Sequence, residues 1–156
     1  MRVLLMISNS NMSARELYGM VLRERHPGWG ISNMSGLPIS PATIMKGFDV
    51  VVYELGAADD PRRYKDVLAL WEEAKDLRRL RMITHIEGPF REGIVAELES
   101  QGVICVGAPF TPETIATAFE RVAPQRKATA TPKESGPGLG GRLRGLFRRK
   151  EGDTRP

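Results

Sequence analysis

Cysteine is nearly absent from this chain: there is one, Cys105, in 156 residues. A single thiol excludes an intramolecular disulfide framework and a cysteine-rich metal site. It lies in the apolar run Val103-Ile104-Cys105-Val106 and is expected to be a buried strand residue, since free cysteine is among the most buried residue types. Long hydrophobic runs are missing too. No stretch approaches the roughly 20 apolar residues that span a bilayer. The run Met1-Arg2-Val3-Leu4-Leu5-Met6-Ile7 is too short for a signal-peptide core and no small-residue cleavage site follows it, so a cytoplasmic location is expected. No Gly-x-Gly-x-x-Gly or P-loop pattern follows a strand-like run, and Ser8, Ser10 and Ser13 lack a nucleophile-elbow context. His26 and His85 stand at no metal-ligand spacing from a carboxylate or cysteine, and Asp59-Asp60 fits a loop followed by a helix cap. No metal and no cofactor is expected.

What is present is unevenly spread. Residues 1–123 carry 14 Lys/Arg against 16 Asp/Glu, whereas residues 124–156 carry 9 against 3, so the net charge of +4 comes entirely from the tail. A basic tail on a mildly acidic domain points to an anionic partner for the tail alone, or to a solvated tail that aids solubility. The hydrophobic content of 41% is enough for one core.

Within residues 1–123, strand-like and helix-like segments alternate five times. Val3–Ile7 is a strand-length apolar run, followed by a helix whose start is marked by the capping-box pattern Ser13-Ala14-Arg15-Glu16. Gly30–Ser35 is a weak second strand. Ser40-Pro41 opens a short helix that Gly47 ends. Asp49–Glu54, with three consecutive valines, suits a strand buried on both faces. Asp60-Pro61 opens the third helix, Arg81–Ile86 is the fourth strand, and Gly88-Pro89 leads into a fourth helix closed by Gly102. Val103–Val106 is the fifth strand, and Thr111-Pro112 opens the last helix, with Ile115, Ala118, Phe119 and Val122 on its core face. Parallel strands need long crossovers, and right-handed crossovers place helices on both faces. The expected fold is α/β: a doubly wound, five-stranded parallel sheet of order 2-1-3-4-5, flavodoxin-like. Functional residues are then expected beyond the carboxyl ends of the strands, after Ile7, Glu54, Ile86 and Val106.

Those loops resemble the response-regulator receiver domain of two-component signalling. Phe48-Asp49-Val50-Val51-Val52-Tyr53-Glu54 is similar to the strand that ends on the phosphoacceptor aspartate. Thr84 stands where the family has its switch threonine or serine, and Gly107-Ala108-Pro109-Phe110 is similar to the Lys-Pro-Phe turn. Departures accompany each feature. The loop Ser8-Asn9-Ser10-Asn11 holds no carboxylate for Mg²⁺, a hard ion that wants oxygen ligands. Glu54 replaces the acceptor, and Ala108 replaces the lysine that would stabilise transferred charge. Phosphoryl transfer is mostly positioning and electrostatic stabilisation, so the resemblance implies a degenerate pseudo-receiver that is not phosphorylated by the usual route. Glu54 is then a fixed mimic of the charged state, reaching one methylene further toward Thr84, or only a solvated strand-end carboxylate.

Residues 124–138 lack periodicity and read as a flexible linker. Residues 139–156 are a basic tail in which Leu139, Leu143, Leu146 and Phe147 form one helical stripe, flanked by Arg142, Arg144, Arg148 and Arg149. Gly140, Gly141 and Gly145 weaken that helix, so it is expected to fold only on a partner. An acidic protein groove is the favoured partner and an anionic membrane surface the next, each basic residue adding about 1 kcal/mol near such a surface. Nucleic acid is less favoured because the apolar stripe would have no role. The expected function is a non-enzymatic signalling or localisation adaptor. It binds protein through the tail and, as the resemblance implies, through the face formed by the fourth helix, fifth strand and fifth helix. The alternative is a flavodoxin-type small-molecule or nucleotide-binding domain. The sequence does not specify the oligomeric state.

Overall fold

The computed structural model describes residues 1–35, 46–56, 59–74, 80–88 and 92–123. Five strands, β1 (Arg2–Met6), β2 (Gly30–Asn33), β3 (Val50–Leu55), β4 (Arg81–Ile86) and β5 (Ile104–Gly107), form one sheet. All pairings are parallel and the order is β2-β1-β3-β4-β5, as the alternation of segments predicts. Four helices lie between and after the strands among the described residues: α1 (Met12–Arg25), α2 (Tyr64–Ala74), α3 (Glu92–Ser100) and α4 (Pro112–Val122). The helix expected to open at Ser40-Pro41 falls outside the described residues except at its end, where Lys46 and Gly47 are helical. The linker and tail, residues 124–156, also lie outside them.

Local chemistry sets the boundaries. Asp60 caps a 3₁₀ turn, Pro61–Arg63, through a 2.8 Å bond from the Arg62 N–H, and α2 continues from it. Thr111 caps α4 in a reciprocal box with Thr114, ahead of Pro112. One expectation is corrected at α1. Asn11, not Ser13, is the N-cap: its Oδ1 accepts from the Ala14 N–H at 3.3 Å, and the helix starts at Met12. Ser13 is already inside the first turn, with its hydroxyl donating to the same Asn11 oxygen. Gly102, at φ +87°, turns the chain from α3 into β5 beside Trp71, whose indole N–H donates to the Gln101 carbonyl at 2.5 Å.

Every residue of β3 is buried, as a central strand covered on both faces requires. Side chains alternate along each strand, so the sheet carries two cores. Val3, Leu5, Ile7, Val50 and Val52 pack with Tyr18, Val21 and Leu22 of α1 and Ile115, Phe119 and Val122 of α4. Leu4, Met6, Val51, Tyr53, Leu55 and Met82 pack with Val67, Leu70 and Trp71 of α2 and Leu98 of α3. Cys105 is half-buried on the edge strand β5, less enclosed than its apolar neighbours suggested, and burial pushes its thiol up to about 12. No helix among the described residues is long and apolar enough to cross a membrane.

Candidate functional site

The carboxyl ends of β1, β3 and β4 bring together Ser8, Asn11, Glu54, His85 and Glu87. Glu54 is only 9% exposed, which removes the reading of a solvated strand-end carboxylate. Two donors hold it: the Ser8 backbone N–H at 2.5 Å and the Asn11 side-chain amide at 2.6 Å. The Asn11 Nδ2 also donates to Glu87 Oε1 at 2.6 Å. A primary amide has two N–H groups, and each goes to one carboxylate. The cap contact on Oδ1 fixes which end of the amide faces the acids. Asn11 thus stands as a neutral donor between two acidic side chains.

The chain of contacts continues inward. His85 is fully buried; its Nε2 lies 3.1 Å from Glu87 Oε1 and its Nδ1 3.2 Å from the Tyr18 hydroxyl. A carboxylate only accepts, so Nε2 carries the proton and Nδ1 accepts from Tyr18. Phe110, from the turn after β5, stacks on the imidazole with centroids 4.0 Å apart, and Tyr18 meets its edge at 5.5 Å. Burial holds the His85 imidazolium below the ordinary histidine range, with the hydrogen bond to Glu87 opposing. Burial, then the charge of Glu54, pushes the Tyr18 phenol up. Both rings are neutral at pH 7, which suits a core that ends in a polar row.

The other expected site residues are placed differently. Asn9 accepts from Arg15 at 2.9 Å, and the Arg15 guanidinium also donates to the Ile7 carbonyl. Ser10 bonds the Ser8 hydroxyl at 2.8 Å. Neither touches Glu54. Thr84 pairs in register with Tyr53, whereas Glu54 pairs with His85. By strand alternation Thr84 faces the core of α2 and α3, and its buried hydroxyl has no hydrogen-bond partner among the described residues. Glu54 therefore reaches toward the β1–α1 loop rather than toward Thr84. Ala108 sits exposed in the turn after β5, ahead of a cis peptide to Pro109, and offers no polar side chain. The tail residues Leu139, Arg142, Leu143, Arg144, Leu146, Phe147, Arg148 and Arg149 lie outside the described residues.

Asn11, His85, Glu87, Tyr18 and Phe110 are the participants that sequence reading missed. An asparagine directly before a helix is a cap signal, and the Ser13 pattern two residues later masked it. Glu87 follows the fourth strand by one residue, in a loop already marked for inspection. The His85–Glu87 contact links residues two apart in sequence, a spacing that an extended strand end permits. Among the described residues no group of three or more His, Cys, Asp or Glu side chains could hold a metal ion.

No family model matches the chain, and no curated protein matches it. Solved structures do. The pilus assembly protein CpaE from Caulobacter crescentus superposes with a TM-score of 0.56 at 13% identity, over 78% of this chain and 98% of that one. The Vibrio cholerae chemotaxis protein CheY4 gives 0.55 at 18% identity, over 78% and 97%. An orphan response regulator of Helicobacter pylori gives 0.57 at 16%, over 78% and 95%. The fold is that of the receiver domain, shared by response regulators and CpaE-type pilus proteins.

Proposed function

We propose that this chain is a phosphorylation-independent pseudo-receiver that acts as a non-enzymatic adaptor. One observation carries the reading. Where a working receiver exposes an acceptor carboxylate beside metal-binding acids, Glu54 is nearly buried and held by the Ser8 N–H and the Asn11 amide. The loop supplies no carboxylate at Ser8, Asn9 or Ser10, and Ala108 supplies no charge. Donors already in place play the part that a cation would play, so the carboxyl ends of the strands are set in one arrangement without a ligand. The same fold occurs in chemotaxis and pilus assembly proteins, so fold alone selects no pathway.

In this reading function lies in surfaces. The domain binds protein, and the basic stripe from Leu139 to Phe147 gives a second attachment, favouring an acidic protein groove over an anionic membrane. Carrying both contacts on one chain raises the effective concentration of the second. Incubation with acetyl phosphate and Mg²⁺ followed by intact-mass measurement tests the first half: no phosphoryl adduct is expected. Stoichiometric modification of Glu54 or a neighbouring Asp would overturn it. Recovery of bound proteins by full-length chain, a 1–124 truncation and a Leu143→Ala/Phe147→Ala variant tests the second half. Identical recovery by all three defeats the docking role of the tail.

A further inference from the structure

We infer that the groove between α1 and the strands β1 and β2 is a binding site for a small phosphorylated solute, away from Glu54 and independent of the adaptor reading. The groove encloses about 170 Å³ and is floored by Leu5 and Ile31, with Arg15, Arg23 and Asn33 among its polar walls. Gly19 shapes it. A side chain there would begin 3.2 Å from Arg23 Nη1 and 3.5 Å from Nη2, so the guanidinium lies folded over the bare glycine. Arg15, Gly19 and Arg23 are four residues apart and share one helical face. The fold-back brings Arg23 one turn closer to Arg15.

Among the described residues no ion pair neutralises the arginines of the groove. Arg23 has no ion-pair partner among the described residues. Arg15 bonds the Ile7 carbonyl and the Asn9 amide oxygen, which orient its guanidinium without cancelling its charge. Among the described residues Glu16 is the one carboxylate on the wall, and it pairs with neither arginine. Planar guanidinium donors match the oxygens of a phosphate in bidentate fashion, and an apolar floor suits the organic part of a phosphomonoester. The site also adjoins the loop at the strand ends. Arg15 bonds Ile7 and Asn9, and Ser8 and Asn11 of the same segment hold Glu54.

The test is a titration of the full chain with inorganic phosphate and with phenyl phosphate, followed residue by residue by amide NMR. Saturable shifts are expected at Gly19, Arg23, Ile31 and Asn33, with phenyl phosphate binding more tightly because it covers the apolar floor. Arg23→Gln should weaken binding about tenfold or more, the effect of losing a charged hydrogen bond. Glu16→Gln should tighten it, because the competing carboxylate is gone. Both residues are solvent-facing on α1, so both variants fold, and their opposite signs separate a ligand effect from damage to the helix. Shifts confined to residues 124–156, no saturable shift, or an affinity indifferent to Arg23→Gln overturns the inference.

Discussion

Asn11 concentrates more structural consequence than any other polar side chain in the site. It caps α1 through its carbonyl and bridges Glu54 and Glu87 through its amide. Loss of an N-cap costs about 1 kcal/mol, and a hydrogen bond to a charged group contributes about 1.5–3 kcal/mol. Asn11→Ala should therefore lower unfolding free energy by about 2–4 kcal/mol in urea denaturation. Asn11→Asp separates the two roles. Aspartate caps a helix as well as asparagine, but it presents an acceptor to two carboxylates. It should destabilise the domain at pH 7 and less so at pH 5, relative to wild type at the same pH, because protonation relieves like-charge repulsion. A variant as stable as wild type at pH 7 would show that the bridge contributes nothing.

His85 gives a second prediction at the same scale. Its folded pKa lies below that of the unfolded chain because burial opposes the charged ring. The native state then binds fewer protons than the unfolded state once pH falls below about 6.5, and stability falls with it. His26 is lowered in the same direction, also chiefly by burial, so the pH slope of the wild type combines both. His85→Phe keeps a ring against Phe110 and removes one titrating group. Its Tm should depend less steeply on pH between 6.5 and 5 than that of wild type (the range set by the ordinary histidine value). These residue-scale features were only half legible in the sequence. Glu54 and the loop from Ser8 could be marked because strand ends carry function in this topology. The amide bridge could not, because it joins residues 11, 54 and 87 through strand register, and register is a property of the sheet. The resemblance set Glu54 toward Thr84, and a one-residue offset in pairing sends the two to opposite faces.

At the scale of elements the sequence was far more explicit. Asn11 caps α1, Asp60 caps the 3₁₀ turn ahead of α2 and Thr111 caps α4, and the last two combine the cap with proline at the first turn. The valine run of β3 announced burial on both faces, and every residue from Val50 to Leu55 is buried. Boundaries moved by a residue or two because strand ends are set by pairing partners. The last helix tests this level. Thr111→Ala removes one half of the reciprocal cap on α4 and should cost about 1 kcal/mol. Phe119 on the same helix is fully buried against Tyr18 and Trp29, with ring centroids 6.0 and 6.2 Å away. Phe119→Ala should cost about 3–5 kcal/mol, the range for an emptied aromatic site. Equal losses from the two substitutions would contradict the assignment of Phe119 to the core.

For the whole molecule, the division between an acidic domain and a basic tail sets the clearest expectation. Both described cores draw all their residues from the first 122 positions. In the adaptor reading the tail serves an outside partner, so removing residues 125–156 should leave the denaturant midpoint and slope of the domain unchanged, since the slope follows the surface exposed on unfolding. The same truncation takes away 9 of the 23 basic residues and reverses the sign of the net charge. Any association of the full chain with an acidic partner should then weaken with added salt, because contacts between exposed charges are screened over about 10 Å at 0.1 M. The truncated chain should keep only the contact made by the domain and lose the salt dependence. The Leu143→Ala/Phe147→Ala variant separates charge from apolar docking, since it keeps every basic residue. Binding by that variant equal to wild type would mean that the tail acts by charge alone. Binding lost in the variant at low salt would place the apolar stripe at the contact, as an adaptor with a specific docking segment requires.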